Sequence, residues 1–141
     1  MRRAIIFLPI AIVSCGQFGT FEIKNDNPPI LKKNDGWREV SLPGVDPVYF
    51  YNPKYCQIKN GYTYIWIASV SRFVSDQYME LHVYKNNYKE FGIRIMYHYV
   101  SKNSYITPIN TTDEGLRWKS TEQTDAVTAE LASVLRSSLK Q

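Results

Sequence analysis

The run "YCQIKNGYTYIWIASV", residues 55–70, constrains the fold more than any other stretch of this chain. Asn60-Gly61 supplies the two positive φ angles of a type I′ turn, and alternating residues flank it on both sides. A two-residue turn sets Lys59 opposite Tyr62, Ile58 opposite Thr63, Cys56 opposite Ile65 and Tyr55 opposite Trp66. One face of the hairpin then carries Cys56, Ile58, Ile65 and Ile67. The other carries Tyr55, Gln57, Tyr62, Tyr64 and Trp66. The strand over 62–70 is apolar or aromatic on both faces, so both must be covered. The second face can take the N-terminal segment, a second copy of the chain in a homodimer, or a ligand. The stripe Tyr62, Tyr64 and Trp66 is therefore either internal packing or a candidate binding surface.

Around this hairpin the chain continues to read as strands. "WREVSL" and "PVYFY" are short and bounded by Pro and Gly. "YMELHVY" and "YKEFGIRIMYHYV" form a second hairpin around Asn86-Asn87. Met79, Leu81 and Val83 make one apolar set, and Phe91, Ile93 and Ile95 the other. A two-residue loop would divide these sets between faces, so an odd loop such as Lys85-Asn86-Asn87 is expected, with an asparagine in the left-handed region. From Ser120 the period changes. Val127, Leu131, Val134, Leu135 and Leu139 fall on one helical stripe. Ser120 and Gln123 offer a capping box, and Arg136 and Lys140 sit where the helix dipole favours cations. The expected fold is α+β: an antiparallel β-meander of about five or six strands, with one C-terminal amphipathic helix packed on one face.

The first residues serve a different purpose. Arg2 and Arg3 precede an apolar run from Ala4 to Val13. That run is shorter than the roughly 20 residues a membrane-spanning helix needs, but it suits the core of a secretory signal. Ile12-Val13-Ser14-Cys15 resembles a bacterial lipobox, with cleavage before Cys15 once its thiol carries a diacylglyceryl group. Residues 1–14 are thus expected to be a lipoprotein signal peptide and Cys15 the lipid attachment site. With two or three acyl chains, palmitate among them, the anchor would hold in membrane lipid. Gly16 lacks the aspartate associated with inner-membrane retention, which favours the outer membrane, and the cell surface is then open to the domain. Residues 15–36 read as a lipidated tether rich in Asn, Asp, Pro and Lys, within which Phe18, Phe21 and Ile23 offer a short edge strand. Residues 37–141 form the folded domain.

Composition excludes some partners. Lys and Arg total 17 against 13 Asp and Glu, and loss of Arg2 and Arg3 narrows the excess further, so no nucleic-acid footprint is present. With Cys15 lipidated, Cys56 reads as an inert core thiol and no internal disulfide is expected. His82 and His98 lie too far apart along adjacent strands to share a metal and read as solvated. No catalytic triad order, zinc motif or phosphate loop occurs. Catalytic residues, metal and cofactors are accordingly none. "NTT" at Asn110 matches a glycosylation sequon of little meaning in a bacterial lipoprotein.

The order of these features resembles the surface-adhesin protein E family of small Gram-negative lipoproteins. Trp37 comes first, then "VYFYNPKYCQIKNGYTYIWIASV", a hairpin ending in tyrosines near Tyr97 and Tyr99, and Trp118 before a terminal helix. The resemblance covers most of the chain from Trp37. Many members carry two cysteines joining a late strand to the terminal helix, and this chain has neither. The resemblance implies an antiparallel sheet with a C-terminal helix, and an adhesin-like domain that binds host extracellular matrix proteins. A periplasm-facing structural or assembly lipoprotein is the other function class, and protease shaving of intact cells separates the two.

Overall fold

The computed structural model describes Val13–Ser14 and residues 28–101 and 104–140. The expected signal peptide (apart from Val13–Ser14), Cys15 and the first part of the tether, with Phe18, Phe21 and Ile23, lie outside the described residues. Strand β1 is Val13–Ser14, followed by β2 (Arg38–Val40), β3 (Val48–Lys59), β4 (Tyr62–Val70), β5 (Gln77–Lys85), β6 (Glu90–Ser101), β7 (Ser104–Asn110) and β8 (Lys119–Ser120). Helix α1 (Ala126–Ser138) and strand β9 (Leu139–Lys140) close the chain. β2 to β7 form one antiparallel meander in sequence order, and β8 pairs with β6. β1 lies parallel to β9 in a separate two-stranded pairing. The α+β meander with a single C-terminal helix is thus the fold, with six to seven strands in its sheet.

The first hairpin has the expected register: Lys59 opposes Tyr62, Ile58 opposes Thr63 and Cys56 opposes Ile65. Asn60 and Gly61 have φ of 55° and 81°, as the turn requires. An irregularity between Tyr51 and Cys56 then breaks the ladder, so Tyr55 is not paired with Trp66.

The second hairpin departs from expectation. Its loop is even, four residues from Asn86 to Lys89, with Lys85 opposite Glu90. Asn86, Asn87 and Tyr88 all take left-handed φ, between 54° and 67°. The loop is clamped from outside: Thr121 Oγ1 donates to the Tyr88 carbonyl at 2.9 Å, and Arg136 Nε donates to the Asn87 carbonyl at 3.0 Å. Parity is corrected further along. Between Leu81 and His82 the register shifts, so that Ile95 opposes Leu81 while Ile93 opposes His82. The extra residue, Arg94, moves Ile95 and Tyr97 onto the face opposite Phe91 and Ile93. A bulge does what an odd loop was expected to do.

Helix α1 begins later than the expected capping box. Asp125 is the N-cap, and its carboxylate accepts from Thr128 N at 2.8 Å. Ser120 is instead paired with Glu90 in the sheet. The helix buries Val127, Thr128, Leu131, Ala132 and Leu135, and packs with Leu139, Ile65, Ile67, Tyr51 and Cys56 on one face of the sheet.

The other face is covered by two segments of the same chain. Leu31 and Trp37 come from the N-terminal side; Leu116 and Trp118 come from the crossing between β7 and β8. Residues 28–36 are therefore docked, not a free tether. Asp35 accepts from Lys54 Nζ at 2.6 Å and from the Tyr55 hydroxyl at 3.1 Å, and these hydrogen bonds hold its carboxyl below its ordinary pKa.

Candidate functional site

The aromatic stripe lies inside the protein. Trp66 is wholly buried and stacks on Tyr97, and Tyr64 is buried under the segment 111–118. Tyr62 is half-buried against Trp118, with ring centroids 5.5 Å apart. Tyr64 donates to Asp113 Oδ2 at 3.1 Å, and burial first, then this bond, pushes its phenol up to about 12. Of the two readings of the stripe, internal packing holds for Tyr64 and Trp66, which are not a free binding surface, while Tyr62 stays half-buried: the crossing segment, which carries no strong periodic signal, covers this face.

His82 is likewise corrected, from solvated to buried. Its Nε2 lies 2.8 Å from Glu80 Oε1, and its Nδ1 lies 3.0 Å from the Tyr84 hydroxyl. Glu80, His82 and Tyr84 alternate with the apolar set Met79, Leu81 and Val83, which suggested a wet face. The face is dry because the fold covers both sides of the sheet. Burial pushes the Tyr84 phenol well above its ordinary value. This carboxylate–imidazole–phenol chain satisfies its own polar groups and is closed to solvent, so it stiffens the core. His98 sits apart, stacked on Tyr78 at 4.3 Å and 3.4 Å from Asp76. Among the described residues, no group of three or more His, Cys, Asp or Glu is placed to hold a metal ion.

Cys56 is disulfide-bonded, which corrects its reading as a lone inert thiol. The chain has one other cysteine, Cys15, which lies outside the described residues. A single sulfur cannot carry both a diacylglyceryl thioether and a disulfide. Within one chain the two fates of Cys15 exclude each other.

Exposed apolar groups gather at one end of the sheet. Val70 opposes Gln77, Gln77 opposes Tyr99, Val48 opposes Val70 and Ser101 opposes Ser104, so the connections 41–47 and 71–76 share that end with the last residues of β6 and the first of β7. Of the six large, exposed hydrophobic side chains among the described residues, five, Phe73, Val74, Val100, Tyr105 and Ile106, are here. Phe73 is 77% exposed and Val74 59%.

The loop that carries Phe73 and Val74 is organised by hydrogen bonds. The Asp46 carboxylate accepts from Ser71 Oγ at 2.9 Å and from Arg72 N at 2.6 Å. Ser71 Oγ in turn accepts from Phe73 N at 3.1 Å and Val74 N at 3.2 Å. Ser71 N donates to the Asp76 carbonyl at 3.1 Å, closing the loop. Tyr105 is braced edge-on against Tyr97 and Tyr99. Sequence reading missed this site because "SRFVSD" has no strand or helix period. The available signal was two apolar residues set among Ser, Arg and Asp in a connection.

The opposite end holds the turns at 60–61 and 86–89, the C-terminal end of α1 through Arg136, and the β1–β9 pairing. A nine-residue strand separates the ends by roughly 30 Å. Among the described residues, no helix is long and apolar enough to cross a membrane. No family model matches the chain, and no curated protein or solved structure is significantly similar to it.

Proposed function

We propose that this chain is an exported, non-catalytic binding protein of the cell envelope, whose contact surface is the sheet end formed by 41–47, 71–76, the last residues of β6 and the first of β7. The carrying observation is the Asp46–Ser71 network, which holds Phe73 and Val74 out in water. Exposed apolar side chains cost solubility, and a hydrogen-bonded loop that fixes them outward reduces the ordering needed when a partner binds.

The N-terminal sequence supports anchoring. The resemblance to the surface-adhesin protein E family supports an adhesin-like role on the outer membrane, contacting host extracellular matrix proteins. Cleavage at the lipobox would remove Val13–Ser14 and with it the pairing to β9.

A second reading is favoured by the disulfide at Cys56: an exported form without lipid, whose Cys15 sulfur is joined to Cys56 in an oxidising compartment. Intact mass of the mature protein from the membrane fraction, before and after reduction, separates the two. Acyl mass on a peptide beginning at Cys15 supports the anchored form. Two hydrogens gained on reduction, with no acyl mass, supports the unlipidated form. Protease shaving of intact cells then tests exposure; complete protection of the domain would contradict an adhesin.

A further inference from the structure

A notch interrupts the far edge of the sheet. β7 pairs with β6 down to Ile95, and Thr111 N reaches the Arg94 carbonyl at 2.9 Å. β8 resumes the pairing only at Phe91 and Glu90. Between these points the chain leaves the edge, crosses the opposite face through a 3-10 turn at Asp113–Gly115, and returns. Gly92 permits this crossing: a Cβ there would stand 3.1 Å from Leu116 Cδ2 and 3.3 Å from the Arg117 carbonyl oxygen.

The gap is a cavity of about 450 Å³. Its apolar walls are Phe91, Ile93 and Ile109, and its polar rim is Thr111, Arg117 and Lys119. The volume falls within the roughly 300–1,000 Å³ of small-molecule sites. The neighbouring charges are arranged unevenly. Arg94 is committed to Asp113, 3.2 Å away, and Glu90 faces Lys85 at 3.9 Å. Among the described residues, Arg117 and Lys119 have no ion pair. Two uncompensated cations therefore stand at the mouth of an apolar slot.

We propose that this notch binds a single acyl chain with an anionic head, the tail lying against Phe91, Ile93 and Ile109 and the head held by Arg117 and Lys119. A free carboxylate and a lipid phosphate share this chemistry. A neutral apolar ligand would leave both cations unanswered, and a small anion without a tail would leave the apolar walls wet. The site is independent of the loop end and of the proposed partner there.

Titration calorimetry with decanoate, decanol, acetate and decyl phosphate tests it on the exported protein. Saturable binding of decanoate or decyl phosphate, with acetate silent and decanol weaker, is expected; the tighter of the two anions identifies the head group. The double change Arg117→Gln, Lys119→Gln should weaken anion binding about tenfold, or 1.4 kcal/mol, while leaving decanol binding as it was. Both side chains are exposed, so the fold should be kept, as circular dichroism will show. Ile109→Trp should block decanoate, decyl phosphate and decanol alike. Absence of saturable anion binding, or anion binding that the double variant retains, overturns the proposal. So does loss of binding in Phe73→Ser, Val74→Ser, which would move the ligand to the loop end.

Discussion

The Tyr64 hydroxyl donates to Asp113 Oδ2 at 3.1 Å, joining the middle of the sheet to the segment that crosses it 49 residues later. Arg94 reaches the other oxygen of the same carboxylate at 3.2 Å. One half-exposed aspartate thus fastens the cover over Trp66.

Tyr64→Phe removes the donor but keeps the ring. Asp113 remains paired with Arg94 and accessible to water, so the loss is expected at about 1 kcal/mol, the ordinary net worth of a hydrogen bond. Amide exchange should quicken in 111–118 more than in α1. Equal acceleration in both would mean that this bond does not locally fasten the crossing segment.

Leu131 is wholly buried between α1 and the sheet. Leu131→Ala should cost about 2–5 kcal/mol, a large share of the 5–15 kcal/mol typical of a domain. Thermal or urea unfolding measures it. An unchanged midpoint would contradict the packing of the helix on Ile65 and Ile67.

Alkaline pH should unfold the protein through its phenols. Burial lifts Tyr49 and Tyr64 to about 12 each, against about 10 in an unfolded chain. Their contribution is complete below pH 10 and is lost as pH rises from 10 to 12, because the unfolded state gives up its protons first. The Tyr49 shift corresponds to about 2–3 kcal/mol; the Tyr64 shift is worth less, because solvent reaching Asp113 screens it. Tyr84 shifts in the same direction and adds to the effect. Tyrosinate absorbance should rise in step with the loss of circular dichroism. Full ionisation with the fold intact would contradict these burials.

Much of this architecture was legible because short-range chemistry fixes it. Asn60-Gly61 sets the register of its hairpin, and the stripe from Val127 to Leu139 sets the buried face of α1. The second hairpin was misread because parity can be restored by a bulge at Arg94 as well as by an odd loop, and local sequence does not distinguish the two. His82 was misread as solvated, and the stripe Tyr62, Tyr64 and Trp66 was left open between packing and a binding surface, because the cover over a sheet face is not a local property. His82 sits beside Tyr84 and Phe91 on the face that α1 covers, and the stripe lies under the crossing from Thr111 to Trp118; both covers are long-range facts. The loop end was invisible as a site because its order comes from Asp46 meeting Ser71 across 25 residues.

The central claim is that the loop end is the contact surface. The most direct measurement compares the exported protein with its Phe73→Ser, Val74→Ser variant for binding to reconstituted extracellular matrix, with Ile30→Ser as an exposed apolar control. Both side chains of the double variant are in water, so its thermal midpoint should match the parent. The account predicts saturable binding by the parent and the control, and at least a tenfold loss in the double variant. No binding by the parent, or equal binding by the double variant, would contradict it.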